Sequence, residues 1–143
     1  MKINRSASAA WAGGLKDGKG SITTESGALS AYPYGFASRF EGKKGTNPEE
    51  LLGAAHAGCF TMALSLILGE AKFTSEQMDT SAKVTLEQID SGFAITAVHL
   101  TLKAKIPGID QATFEELTAK AKAGCPVSKV LKANITLDAS LVS

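Results

Sequence analysis

Cysteine is scarce in this chain: there are two in 143 residues, Cys59 and Cys125, alongside two histidines and no CxxC or HxxxH spacing. In a chain expected to stay in the cytoplasm, two thiols point to redox or catalytic groups rather than to structural staples. Cys59, Cys125, His56 and His99 also make a poor ligand set for zinc, so no metal site is expected. Neither sign of charge is in surplus, with 15 basic residues against 14 acidic. Nucleic acids and membrane surfaces require a basic patch, and no partner of either kind is expected. Residues 1–14 lack the continuous apolar core of a secretory signal, so a cytoplasmic location is expected. No glycine run has the spacing of a phosphate-binding loop followed by a helix. With no repeat, low-complexity segment or long linker, the expectation is one domain over residues 1–143.

What is present centres on residues 46–69, TNPEELLGAAHAGCFTMALSLILG. Asn47 can accept a bond from a free backbone N–H, Pro48 suits the first helical position, and Glu50 falls where a capping-box carboxylate belongs. No Asp, Glu, Lys or Arg occurs from Leu51 to Gly69. The apolar residues cover the whole circumference, which predicts a helix buried on every side. The run nearly matches the ~20 residues of a membrane span. Gly53, His56, Gly58 and Ser65, and the lack of any second candidate, argue against that reading.

Around this helix the pattern is mostly strand. Recurrent glycines over residues 2–40 predict short strands and turns: a strand at 21–24, a turn at 25–27, a returning strand at 29–32, a turn or loop at 32–35, and an extended segment at 36–40 that carries Arg39. Residues 80–86 alternate with period two. Asp90-Ser91-Gly92 reads as a hairpin turn, and residues 93–105 as its partner strand. The phase of that strand slips near Ala97, predicting a bulge or burial on both faces. Asp110 or Thr113 caps a helix whose Phe114, Leu117 and Ala121 face inward and which ends at Gly124. Pro126 makes Cys125 the cap of a short helix to about Lys132, and residues 134–141 close the chain as a strand. The class is α+β.

On these residues alone the chemistry stays open. An apolar helix raises the pKa of Cys59 and makes it inert filler unless a cation is supplied, whereas the helix start at Cys125 favours thiolate. His56, one turn before Cys59, offers a Cys-His hydrolase dyad or is simply a hydrogen-bonded core histidine. Arg39 alone reads as a surface charge.

Taken together, GTNPEELLGAAHAGCFTMALS, YGFASRFEG and KAGCPVSKVLKANITLDASL resemble the OsmC and organic hydroperoxide resistance family of thiol-dependent peroxidases. The resemblance covers essentially the whole chain. It implies an OsmC-like fold, an antiparallel sheet packed on a long buried central helix, in an intertwined homodimer. It also implies that Cys59 is the peroxidatic cysteine, Cys125 the resolving one, and Arg39 with Glu49 the pair that tunes the Cys59 thiolate. The implied partners are an organic hydroperoxide and an external thiol or dithiol reductant, lipoyl-type dithiols included, with no cofactor. A non-catalytic redox sensor or apolar-ligand-binding protein is the alternative.

One geometric point bears on assembly. On an unbroken helix, Glu49 and Cys59 lie about 15 Å apart along the axis and roughly 80° apart around it. The small pairs Gly53/Ala57 and Ala54/Gly58 would let a second copy of the helix approach closely. A homodimer with shared active sites, in which Glu49 of one chain lies near Arg39 and Cys59 of the other, is therefore expected.

Overall fold

The structure is a computed structural model describing residues 1–90 and 92–143. The chain divides into two compact units, Met1–Leu51 and Leu52–Ser143.

In the first unit, β1 (Ala7–Ala12), β2 (Lys19–Thr24) and β3 (Tyr32–Tyr34) form an antiparallel sheet in that order. Gly20 is needed on β2, because a Cβ there would come within 2.5 Å of the Tyr34 ring and 2.6 Å of the Trp11 indole. Its absence lets those rings meet edge to face at 5.5 Å.

The expected returning strand at 29–32 is not formed. Ala31 has φ 47°, outside the strand region, and its N–H donates to Thr23 Oγ1 at 2.9 Å. Pairing with β2 begins only at Tyr32, so the residues read as a turn at 32–35 supply strand β3. The segment Phe36–Phe40, expected to be extended, is a short helix, α1. The buried Ser38 hydroxyl accepts from Gly35 N–H at 2.9 Å and donates to the Thr46 carbonyl at 2.8 Å, closing the turn. Phe36 and Phe40, four residues apart, then stack at 5.0 Å.

Helix α2 (Pro48–Glu70) starts as expected, with Asn47 Oδ1 accepting from Glu50 N–H at 2.7 Å. The Glu50 carboxylate accepts from the Thr46 hydroxyl at 2.8 Å.

In the second unit, β4 (Gln77–Ile89) and β5 (Gly92–Lys105) form a long antiparallel hairpin. The turn read at Asp90-Ser91-Gly92 has its middle residue outside the described residues. The register shifts opposite Thr85/Leu86, where Ala97 and Ile95 pair and Thr96 is passed over. That is the bulge the phase slip near Ala97 predicts. Strand β6 (Asn134–Val142) pairs with β5 in parallel, so this sheet is mixed, with order β4-β5-β6. A parallel neighbour needs a crossover. Here it contains α3 (Gln111–Gly124) and α4 (Pro126–Val130).

Asp110 caps α3, its carboxylate accepting from Thr113 N–H at 2.7 Å. That bond holds the Asp110 carboxyl below its usual range. Asp110→Ala should lower stability, because the Thr113 amide loses its cap. Chemical denaturation of the variant beside wild type measures this.

The core of this unit packs Phe60, Leu64 and Leu68 of α2 with Val98, Leu100 and Leu102 of β5 and Phe114, Leu117 and Ala121 of α3. Helix α2 is long and apolar enough to cross a membrane by length and composition. It is not, however, buried on every side within one chain. Gly53, His56, Phe60, Leu64 and Leu68 form the buried stripe, while Met62 and Leu66 are 76% and 66% exposed. A single sheet layer covers one face of a helix, and among the described residues Met62 and Leu66 mark the opposite, exposed apolar face. The small-residue pairs divide in the same way. A Cβ on Gly53 would lie 3.4 Å from the Ala82 carbonyl, so Gly53 serves the approach to β4, whereas Ala54 and Gly58 are exposed.

Candidate active site

Cys59 sits in the fourth turn of α2 and is partly exposed; Cys125 lies at the α3–α4 junction and is fully buried. The structure brings the two sequence-predicted cysteines together as free thiols in hydrogen-bonding contact. Cys59 opens into a cavity of about 580 Å³ walled by Met62, Ala63, Leu66, Ile67 and Pro126, with Lys120 the charged residue on its lining. A cleft of this kind takes an apolar tail.

Burial, reinforced by the neighbouring Cys125, pushes the Cys59 thiol above its ordinary value. Burial pushes Cys125 the same way. There it is outweighed by hydrogen bonding from Cys59, from the Ser128 amide and hydroxyl and from the Val127 amide, so the net shift is downward. The α4 start contributes as its sequence suggests: Pro126 occupies the first helical position, and the next amides face the sulfur. The buried thiol is thus the more acidic one, and the thiol an outside molecule can reach is the less acidic.

Arg39 and Glu49 meet within one chain, whereas the sequence reading places Glu49 beside the Arg39 of a second chain; the short loop between α1 and α2 brings them together. The guanidinium donates through Nε to Glu49 Oε1 at 3.1 Å and through a terminal nitrogen to Oε2 at 2.9 Å, a two-pronged pair with Glu49 buried. The Arg39 guanidinium also lies 5.3 Å from the Phe40 ring centre. Helix α1 presents Arg39, and the first turn of α2 presents Glu49.

The Cys-His dyad does not form. His56 is fully buried, its Nε2 lies 2.7 Å from Ser128 Oγ, and its Nδ1 has no hydrogen-bond partner. Burial holds its pKa below the usual value, leaving the ring neutral near pH 7. Ser128 is the residue that sequence reasoning misses. Its signal is the position three residues after Cys125, where a cap's amide and side chain turn back toward the capping residue. His99 is engaged at the surface by Thr136 and Asp138. Among the described residues, no three His, Cys, Asp or Glu side chains gather as a metal cluster.

A family model described as OsmC-like protein matches residues 41–140. The chain belongs to the OsmC-like family. Over its full length and that of the relative, it is 59% identical to a protein named peroxiredoxin OsmC from Escherichia coli. It is also 33% identical to an organic hydroperoxide resistance protein from Xanthomonas axonopodis, over 70% of this chain and 69% of that one. Among solved structures, it is similar to the organic hydroperoxide resistance protein OhrB of Bacillus subtilis. The TM-score there is 0.67 at 28% identity, over 96% of this chain and 98% of the other. An OsmC-like protein from Mycoplasma pneumoniae shares the OsmC-like fold at TM-score 0.76 and 15% identity, with both chains fully covered.

Proposed function

We infer that this OsmC-like chain is a thiol peroxidase that reduces organic hydroperoxides to alcohols. The observation that carries the reading is a partly exposed Cys59 at an apolar cavity, backed by a buried second thiol at Cys125. The Cys59 thiolate attacks the outer peroxide oxygen and the O–O bond breaks. The alkoxide takes a proton and leaves as the alcohol, and Cys59 is left as sulfenic acid. Cys125 then displaces that oxygen as water and closes the disulfide. An external thiol or dithiol supplies the two electrons that reopen it, and a cytoplasmic setting provides such thiols. The family model crosses the boundary between the two units, which supports reading the chain as one domain.

Arg39 and Glu49 complete the site in this reading. Cys59 needs a cation to offset its raised pKa, and a guanidinium stays charged while stabilising both thiolate and departing alkoxide. Glu49 holds that guanidinium in a fixed orientation. Glu49 and Cys59 are ten residues apart, which on a continuous helix is about 15 Å along the axis. The Arg39–Glu49 pair therefore serves the Cys59 of a second chain, in a homodimer that covers the exposed apolar face of α2.

With excess dithiol, the protein should consume many equivalents of cumene hydroperoxide and work faster on it than on hydrogen peroxide, which has no organic part to bury in the cavity. Peroxide consumption against time measures both. Consumption that stops at one equivalent would make the protein a redox sensor instead. A monomeric mass in solution would remove the shared site.

A further inference from the structure

Cys125 carries a problem that the peroxidase reading leaves unsolved. When it attacks the Cys59 sulfenic acid it must lose its proton, yet the residue is fully buried and out of reach of bulk water. Three groups act on its sulfur. Cys59 is the reacting partner, and the Val127 amide can only donate. The Ser128 hydroxyl can both accept a proton and pass one on. On its far side stands His56 Nε2 at 2.7 Å, itself fully buried.

His56 Nδ1 has no partner, the one such buried side-chain atom among the described residues. Whichever tautomer is present, one ring nitrogen is left unsatisfied, an expensive arrangement for a merely structural hydrogen bond. With the ring hydrogen on Nδ1, the other nitrogen accepts from the Ser128 hydroxyl and is where the neutral imidazole can take up a proton.

We propose that His56, acting through the Ser128 hydroxyl, is the positioning residue that takes the Cys125 proton when the disulfide closes and passes it to the departing hydroxide. This rests on the peroxidase reading. In closure, the Cys125 thiol proton passes to Ser128 Oγ as the Ser128 proton passes to His56 Nε2. The Cys125 sulfur donates its electron pair to the Cys59 sulfur, and the S–O bond breaks. The departing hydroxide recovers a proton from His56 by the same route and leaves as water. In reduction, an external thiolate attacks the Cys59 sulfur. Cys125 leaves as thiolate, held by the Ser128 hydroxyl, and the proton given up by the external thiol on becoming thiolate restores the Cys125 thiol by the same route.

The test follows the two half-steps separately. One equivalent of tert-butyl hydroperoxide is mixed with wild type, His56→Gln and Ser128→Ala without reductant. Cys59 sulfenic acid is trapped with dimedone at intervals and counted by mass, alongside the disulfide. Sulfenic acid should form at the wild-type rate in both variants, while closure slows by about tenfold or more, the lower reach of proton-transfer assistance. Glutamine can keep the bond to Ser128 but cannot take up a proton, so a purely structural histidine predicts wild-type closure in His56→Gln. That result would overturn the proposal, as would equal slowing of both steps in the two variants. If His56→Gln does not fold, Ser128→Ala decides on the same readouts. A wild-type protein that yields no trapped sulfenic acid would instead sink the peroxidase reading, a separate outcome.

Discussion

Cys59→Ser should lose peroxidase turnover by about 10³-fold or more, the scale of removing an enzyme's nucleophile. A serine hydroxyl at that position cannot be oxidised to a sulfenic acid, and no other thiol is open to the cavity. Cys125, the more acidic of the two, is sealed from solvent. In the proposed site access selects the attacking sulfur, and the Arg39 guanidinium of a second chain offsets the raised Cys59 pKa. Cys125→Ser should behave differently. Its Cys59 still reduces the first equivalent of peroxide, the sulfenic acid then accumulates for want of a resolving thiol, and excess peroxide drives it to sulfinic acid. Mass analysis after one and after ten equivalents separates the two variants. Full turnover by Cys59→Ser would remove the central assignment.

The second large effect concerns Arg39. Arg39→Ala should reduce activity by about 10²- to 10³-fold, the cost of removing one preorganised charge partner. The sign with pH follows from the direction of the Cys59 shift. Burial raises the pKa of that thiol, so without the guanidinium the thiolate fraction, and the residual rate, should climb as pH rises. The sharper experiment mixes two dead proteins. Arg39→Ala and Cys59→Ser subunits, unfolded together and refolded, should recover about a quarter of wild-type activity, because half the dimers are hybrids and each hybrid holds one complete site. If each chain instead built its site alone, every site in the mixture would lack either the cation or the sulfur, and no activity would return.

Much of the scaffold was legible in the chain. The start of α2, the Asp110 cap, the cap position of Cys125 and the bulge near Ala97 are written by local rules, and the structure follows them. Local rules failed where a distant or unusual contact decides. Nothing in FASRF favours a helix over an extended segment until Ser38 bonds Gly35 and Thr46. The turn at Ala31 depends on a left-handed alanine that no propensity predicts. The composition of α2 implies burial all round, because apolar residues do not say whether one chain or two will cover them. The same limit applies to the site. Cys59, Cys125, Arg39 and Glu49 come from the family resemblance, while His56 and Ser128 meet across 72 residues of sequence and only the fold shows them together.

The parallel pairing of β6 with β5 has a bearing on the redox cycle. The connection that carries Cys125 is a strap fastened at both ends to the same sheet, leaving at Lys105 and rejoining at Asn134. Such a strap can pivot as a body, but it cannot withdraw without tearing a ladder of backbone bonds. In the proposed cycle the two sulfurs therefore stay opposite each other while the chemistry between them passes through thiol, sulfenic acid and disulfide. Most of the motion each turnover needs is then a side-chain rotation, with the chain path left as it was.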